Sequence, residues 1–229
     1  MKMLPSLTVL TLCGLMVLPV LPALSAAESI GLNFSVAGNA DSEMEPDDAA
    51  GQVEVEQSQW NNLPGVNGTE TAVKDSMGAD VKGLAIEWKV PPGDTAWRSK
   101  IGESWGFSGS NLKLQKGYIQ LGGSLTVGGI PYSKYDVYVY LNAGDNGGNG
   151  RVVISSPSGG VSPDSEFYYK FTWLGGKFVV ATSKDEANVE KANCVVFPGN
   201  AAKQFTVDWK GDLGGGWTGV SGIQIVEAR

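Results

Sequence analysis

Oxygen-bearing side chains crowd into one stretch of the chain. Tyr135, Asp136, Val137, Tyr138, Val139, Tyr140 and Leu141 run directly into Asn142, Gly144, Asp145, Asn146, Gly147, Gly148 and Asn149. Asn142, Asp145, Asn146 and Asn149, with the carbonyls between them, offer the hard oxygen donors that calcium takes in a flexible loop. The same residues equally serve a wide connection in which Gly and Asn supply positive φ. Upstream, Val137, Val139 and Leu141 alternate with Asp136, Tyr138 and Tyr140, the period of a strand with one face in a core. The tyrosine face, if uncovered, is an aromatic platform for a sugar ring. Trp60 beside Asn61 and Asn62 is a second such grouping: an indole to stack, and two amides to bind hydroxyls. Its alternative reading is a tryptophan plug with asparagine turns.

Other chemistry is narrowed by what the chain lacks. It contains no histidine. That removes Ser-His-Asp and Cys-His nucleophilic mechanisms and His-ligated zinc. Carboxylate pairs remain open to a glycan-active enzyme, and Asp136, Asp145, Glu87 and Glu166 qualify by type. Hydrolysis needs two carboxyls about 5–10 Å apart, a distance sequence does not supply. The cluster Asp41, Glu43, Glu45, Asp47 and Asp48 fits no EF-hand spacing and reads as a solvated loop.

Such residues need elements to hold them. Lys2, the apolar run Leu7–Leu24 and the small residues Ser25, Ala26 and Ala27 read as a signal peptide cut near Ala27. Pro19 and Pro22 interrupt the run, which argues against an uncleaved span. The expectation is a secreted, periplasmic or cell-surface protein with a single domain over 28–229. Those 202 residues (229 less 27) carry all 24 acidic groups against 16 basic ones (17 less Lys2), a formal charge of −8. This argues against a nucleic-acid backbone as partner. Of the two cysteines, Cys13 lies in the signal and only Cys194 remains, so no internal disulfide forms. Within Cys194–Phe197 it reads as a buried thiol.

Period-two patterns recur along the chain. They cover Ser29–Ser35, Gly83–Val90, Ser124–Val127, Tyr135–Leu141, Arg151–Ser155, Glu166–Trp173, Phe178–Thr182, Asn193–Phe197, Gln204–Trp209 and Val220–Val226. In Glu166–Trp173, Phe167, Tyr169, Phe171 and Trp173 share one face. Asn111–Leu121 fits either a strand or a short helix. Tyr135–Leu141 and Arg151–Ser155 read as a hairpin around the Gly/Asn loop. Glycine makes up 31 of the 202 residues (32 less Gly14), about 15% against a usual ~7%. Many short strands with frequent turns predict an all-β antiparallel sandwich of jelly-roll type.

Several short patterns carry a resemblance: Ile30-Gly31-Leu32-Asn33-Phe34, Trp60-Asn61-Asn62-Leu63, Asp75-Ser76-Met77-Gly78, Gly117-Tyr118, Tyr135–Tyr140, Val195-Val196-Phe197 and Gly222-Ile223-Gln224-Ile225. In this order they resemble a galactose-binding-like β-sandwich domain found in secreted bacterial proteins. The resemblance implies a jelly-roll fold and a carbohydrate ligand, without assigning ligand residues. Three functions follow as expectations. The first is a non-catalytic carbohydrate-binding protein using Trp60, Asn61, Asn62, Asp136, Tyr138 and Tyr140, with either no cofactor or calcium held by Asn142, Asp145, Asn146 and Asn149. The second is a structural or adhesive protein that pairs with copies of itself. The third is a carboxylate-dependent glycan-active enzyme.

Overall fold

The computed structural model describes residues 28–91, 99–144 and 147–228. The expected signal peptide, Trp97, Arg98, Asp145 and Asn146 lie outside the described residues. The strands are β1 (Ser29–Ser35), β2 (Asn61–Pro64), β3 (Gly68–Glu70), β4 (Ala85–Lys89), β5 (Ser99–Ile101), β6 (Gly117–Gln120), β7 (Gly122–Gly128), β8 (Tyr135–Ala143), β9 (Gly148–Ser155), β10 (Glu166–Phe171), β11 (Glu190–Lys191), β12 (Cys194–Asn200), β13 (Gln204–Gly214) and β14 (Thr218–Glu227). One helix, α1 (Gly109–Lys116), and two 3-10 turns, Val53–Val55 and Glu186–Asn188, interrupt them.

Two seven-stranded sheets result. The first runs β12-β8-β14-β1-β2, with β6 beside β14 and β5 beside β6; the second runs β11-β10-β9-β13-β7-β4-β3. Pairing is antiparallel except between β1 and β2 and between β10 and β11, so the sheets are mixed rather than wholly antiparallel. The expected hairpin of β8 with β9 does not form. β8 lies between β12 and β14 in the first sheet, while β9 lies between β10 and β13 in the second. The Gly/Asn loop therefore carries the chain from one sheet to the other. The inward residues of the two strands enter one core from opposite sheets instead of lying side by side.

The interior follows the period-two pattern. Val137, Val139 and Leu141 of β8, with Ile223 and Ile225 of β14, share one core with Leu125, Val127, Val152, Ile154 and Val207 of the second sheet. Aromatic rings bridge the layers, one from each sheet: Phe34 with Trp209 (5.7 Å), Tyr135 with Phe205 (5.9 Å) and Phe167 with Phe197 (5.6 Å). Such pairs contribute about 0.5–1.5 kcal/mol each beyond their area.

The two outer faces differ. All seven residues of β1 are buried, although alternation implied one wet face. A second apolar cluster covers the outside of the first sheet: Met44, Ala50, Trp60, Leu114, Tyr140 and Cys194, with Tyr138 and Phe178 against them. Trp60 fits there because β1 carries glycine beneath it. A Cβ on Gly31 would stand 2.7 Å from the indole. Asp48 anchors the cover by accepting from Lys113 Nζ (2.6 Å) and Ser110 Oγ (3.0 Å), both on α1. Among the described residues the second sheet has no such cover over Asp208 and Lys210, which stand exposed on β13.

Candidate functional site

The residues singled out from sequence divide between the covered face and the loop end of β8. Trp60 is 5% exposed, and its Nε1 donates to Gln57 O at 2.9 Å. Tyr140 is fully buried, edge-on to Trp60 at 6.0 Å. Its hydroxyl donates to Gln224 Oε1 (2.6 Å) and accepts from Gln52 N–H (3.0 Å). Burial, joined by the neighbouring Cys194, holds its pKa well above the ordinary tyrosine value. Tyr138 is half-buried in the same cluster, its pKa raised by burial first and by Asp136 second. Asn61 accepts from Lys74 N–H and donates to Gly31 O; Asn62 accepts from Met44 N–H and donates to Met44 O. Asp136 accepts from Gly199 N–H at 2.7 Å. Thus Trp60 and Tyr140 present no free ring face, and both amides cross-link backbone. The expected platform is the underside of a lid made by residues 44–60 and α1.

At the loop, Asn142 is buried. Its amide donates to Gln115 O and to Glu103 O, and its Oδ1 accepts from Ala143 N–H at 2.7 Å. Asn149 lies in β9, opposite Lys170 and Gly214, with a buried Oδ1 that has no partner among the described residues. Asp145 and Asn146, the other half of the expected calcium set, fall outside the described residues. Among the described residues no group of three or more Asp, Glu, Cys or His stands close enough to hold a metal ion. Cys194 is buried, and desolvation pushes its thiol pKa up to about 12, far from a reactive thiolate.

The open surface is the outside of the second sheet. Strand register places Glu166, Val153, Asp208, Ser124 and Lys89 in one cross-strand row, and Tyr168, Arg151, Lys210 and Gly122 in the next. A cleft of about 400 Å³ opens here, lined by Lys89, Ser124, Arg151, Asp208, Lys210 and the edge of Trp209 among others. A second depression, also about 400 Å³, lies on the same face, with Thr69, Glu87, Thr126 and Gln204 in its lining. Both involve β4, β7 and β13, so they follow one another along the strands.

Asp208 is the singular group of the cleft. It has no hydrogen bond and no ion pair among the described residues. Desolvation raises its pKa, although Arg151 and Lys89 pull it the other way. The cations have neighbours at the rim: Arg151 Nη1 to Glu166 Oε1 at 3.2 Å, Lys89 to Glu87 at 3.3 Å and Lys210 to Asp212 at 3.7 Å. Tyr168 also donates to Glu166 Oε1, at 3.2 Å. The cleft therefore offers one bare acceptor ringed by donors. Glu87 and Glu166, named by type from sequence, stand on this face, each paired with a cation rather than with the other.

Sequence reasoning passed over Lys89, Arg151, Asp208 and Lys210. Their signal was the polar half of clean alternations, Thr206, Asp208 and Lys210 between Phe205, Val207 and Trp209. Only the strand order brings three such halves together. Trp173 is a correction of another kind. Alternation over Glu166–Trp173 places it on one face with Phe171, yet β10 ends at Phe171, which is buried, while Trp173 is 66% exposed. Trp105 packs against Phe171 instead, edge-on at 5.1 Å, and Gly176 donates to Trp105 O. Trp217, on the turn between β13 and β14, is 58% exposed.

No family model matches this chain, and no curated protein matches it.

Proposed function

We propose that this protein is a non-catalytic carbohydrate-binding β-sandwich, and that the outer face of its second sheet holds the ligand. The observation that carries this is the open cleft around Asp208. Sugar hydroxyls both donate and accept, so they suit a bare carboxylate set among Arg, Lys and Ser donors. The two depressions in line suit a chain of sugar units rather than a single ring. Thr126 and Thr206, whose Oγ atoms lie 2.9 Å apart, add hydroxyls along the way. The fold is compatible with a jelly roll, and the leader-like residues 1–27 support export. Among the described residues no helix is long and apolar enough to cross a membrane.

Self-association by strand addition has less support, because the sheet edges are blunted. β3 has three residues and β11 two. β12 accepts Ala181 N–H at Cys194 O (2.8 Å), and Lys74 bonds the side chain of Asn61 along β2. A carboxylate-dependent enzyme has less support too, since Glu166 and Glu87 each neighbour a cation at the rim instead of each other.

The test is binding of the 28–229 protein to a broad panel of soluble oligosaccharides and insoluble polysaccharides, repeated with Asp208→Ala and Arg151→Ala. The reading expects at least one glycan to bind and each substitution to weaken it about tenfold or more, the loss of one to two hydrogen bonds to charged groups. No binding anywhere on the panel would remove this reading.

A further inference from the structure

The cations of the cleft are placed as an uncharged ligand would not require. Lys210 and Arg151 are direct cross-strand partners on β13 and β9, and both line the cleft. Like charges directly opposite each other are destabilising in a sheet. Lys89 stands on the far side of Asp208, and Asp208 pairs with Ser124, which pairs with Lys89. Three strand spacings, about 14 Å, separate the β9 and β4 flanks.

The lining thus carries three cations against one carboxylate, on a chain whose net charge is −7. The rim carboxylates do not cancel this firmly. Side-chain exposure is 41% for Glu166, 55% for Glu87 and 37% for Asp212, so these are solvent-exposed pairs of the weak kind. Arg151 spends one nitrogen on Glu166 and keeps the rest of its fork. A guanidinium fork matches a carboxylate with two parallel hydrogen bonds.

We propose that the cleft is selective for a carboxylate-bearing sugar of the uronate class. The ligand carboxylate takes the Arg151–Lys210 cross-strand pair and offsets its two like charges. The ring then lies over Asp208 and Ser124, where its hydroxyls donate to the bare carboxylate, and Lys89 closes the far side. This rests on the glycan-binding reading above and adds the ligand's charge and its orientation.

The experiment compares one uronate-containing oligosaccharide with its carboxyl-reduced counterpart and with a sulfated oligosaccharide of neutral sugars, by calorimetry on the 28–229 protein. The uronate form should bind at least tenfold tighter than the reduced form. Raising salt from about 50 to 500 mM should erode that difference, because screening shortens the reach of the cations. Arg151→Gln and Lys210→Gln should weaken the uronate form more than the reduced form and so close most of the gap between the two. Lys82→Gln, outside the cleft lining, should change neither. Equal binding of acidic and reduced forms overturns the inference and leaves glycan binding intact. Tighter binding of the sulfated sugar overturns the assignment to carboxylate. Absence of binding by all three overturns it as well, and the broad neutral panel then decides separately whether glycan binding survives.

Discussion

Replacing Tyr140 by Phe separates a structural tyrosine from a ligand platform. The hydroxyl is the hub of a buried network. It donates to Gln224 Oε1 at 2.6 Å and accepts from Gln52 N–H at 3.0 Å, and Gln224 Nε2 goes on to Val55 O (2.6 Å) and Gln57 Oε1 (2.9 Å). Phenylalanine fills the same ring volume, so packing on Trp60 and Phe178 survives. The loss is the two hydrogen bonds. Gln224 is wholly buried, and its orphaned oxygen costs about 1–3 kcal/mol; Gln52 is half-exposed, and its N–H can turn to water at smaller cost. The sum is about 2–3 kcal/mol. At roughly 2–4 °C per kcal/mol for a chain of this size, Tm falls by about 4–12 °C. Urea and thermal unfolding give the number, and a double-mutant cycle with Gln224→Met should return a coupling above about 0.5 kcal/mol. Glycan affinity of the folded variant should not change. A stability change under about 0.5 kcal/mol, or loss of binding at unaltered stability, would show that this face is open and the argument wrong.

Asp48→Asn should cost about 2 kcal/mol at pH 7, because Asp48 accepts from Lys113, Ser110 and Glu45 N–H in holding α1 to the lid. Burial opposes its charge, but these bonds win and bring its pKa below the ordinary 3.8. Its stabilisation is therefore present above about pH 4 and fades as pH falls through the lowered value. Melting curves of parent and variant should converge below pH 3.8 and stay apart above it. For Asp208 the sign reverses: its folded pKa is raised by desolvation, so its contribution is best below 3.8 and declines as pH climbs through the folded value. Asp208→Asn should leave stability at pH 7 unchanged or raised, within the about 0.5 kcal/mol of surface substitutions, and a fall in Tm at pH 7 would count against the bare-carboxylate picture. Gly31→Ala drives a Cβ to 2.7 Å from the Trp60 ring, which is tethered by its own hydrogen bond to Gln57. It should lose about 1–3 kcal/mol in urea unfolding.

Most strand content was legible because alternation is a local signal; Phe178–Thr182 is the exception, forming no strand and meeting Cys194 only through an isolated bridge at Val180. Phe167, Tyr169 and Phe171 face inward as their spacing implies, and so do Val137, Val139 and Leu141. What alternation does not carry is the identity of the neighbour. The short loop after β8 favoured a hairpin, yet β8 already has β12 and β14 as partners, so the chain crosses to the other sheet. Nor does period two say whether an outer face is wet. Tyr138 and Tyr140 look like a platform until residues 44–60 and α1, some 80 and 25 positions upstream, fold over them. Gly31 was the available clue, since a side-chain-free site on a central strand marks a close approach. The cleft was illegible for the same reason. Arg151, Asp208, Ser124 and Lys89 come from four strands, and only their register sets them in neighbouring rows.

The central claim is that ligand meets the outer face of the second sheet. An amide chemical-shift titration of the 28–229 protein with a bound oligosaccharide tests it residue by residue. Shifts should gather at 87–89, 122–126, 151–153 and 206–210, with the lid at 57–62 and β8 at 138–140 silent. Shifts gathered at the lid, or at 142–149, with the second sheet unchanged, would contradict it.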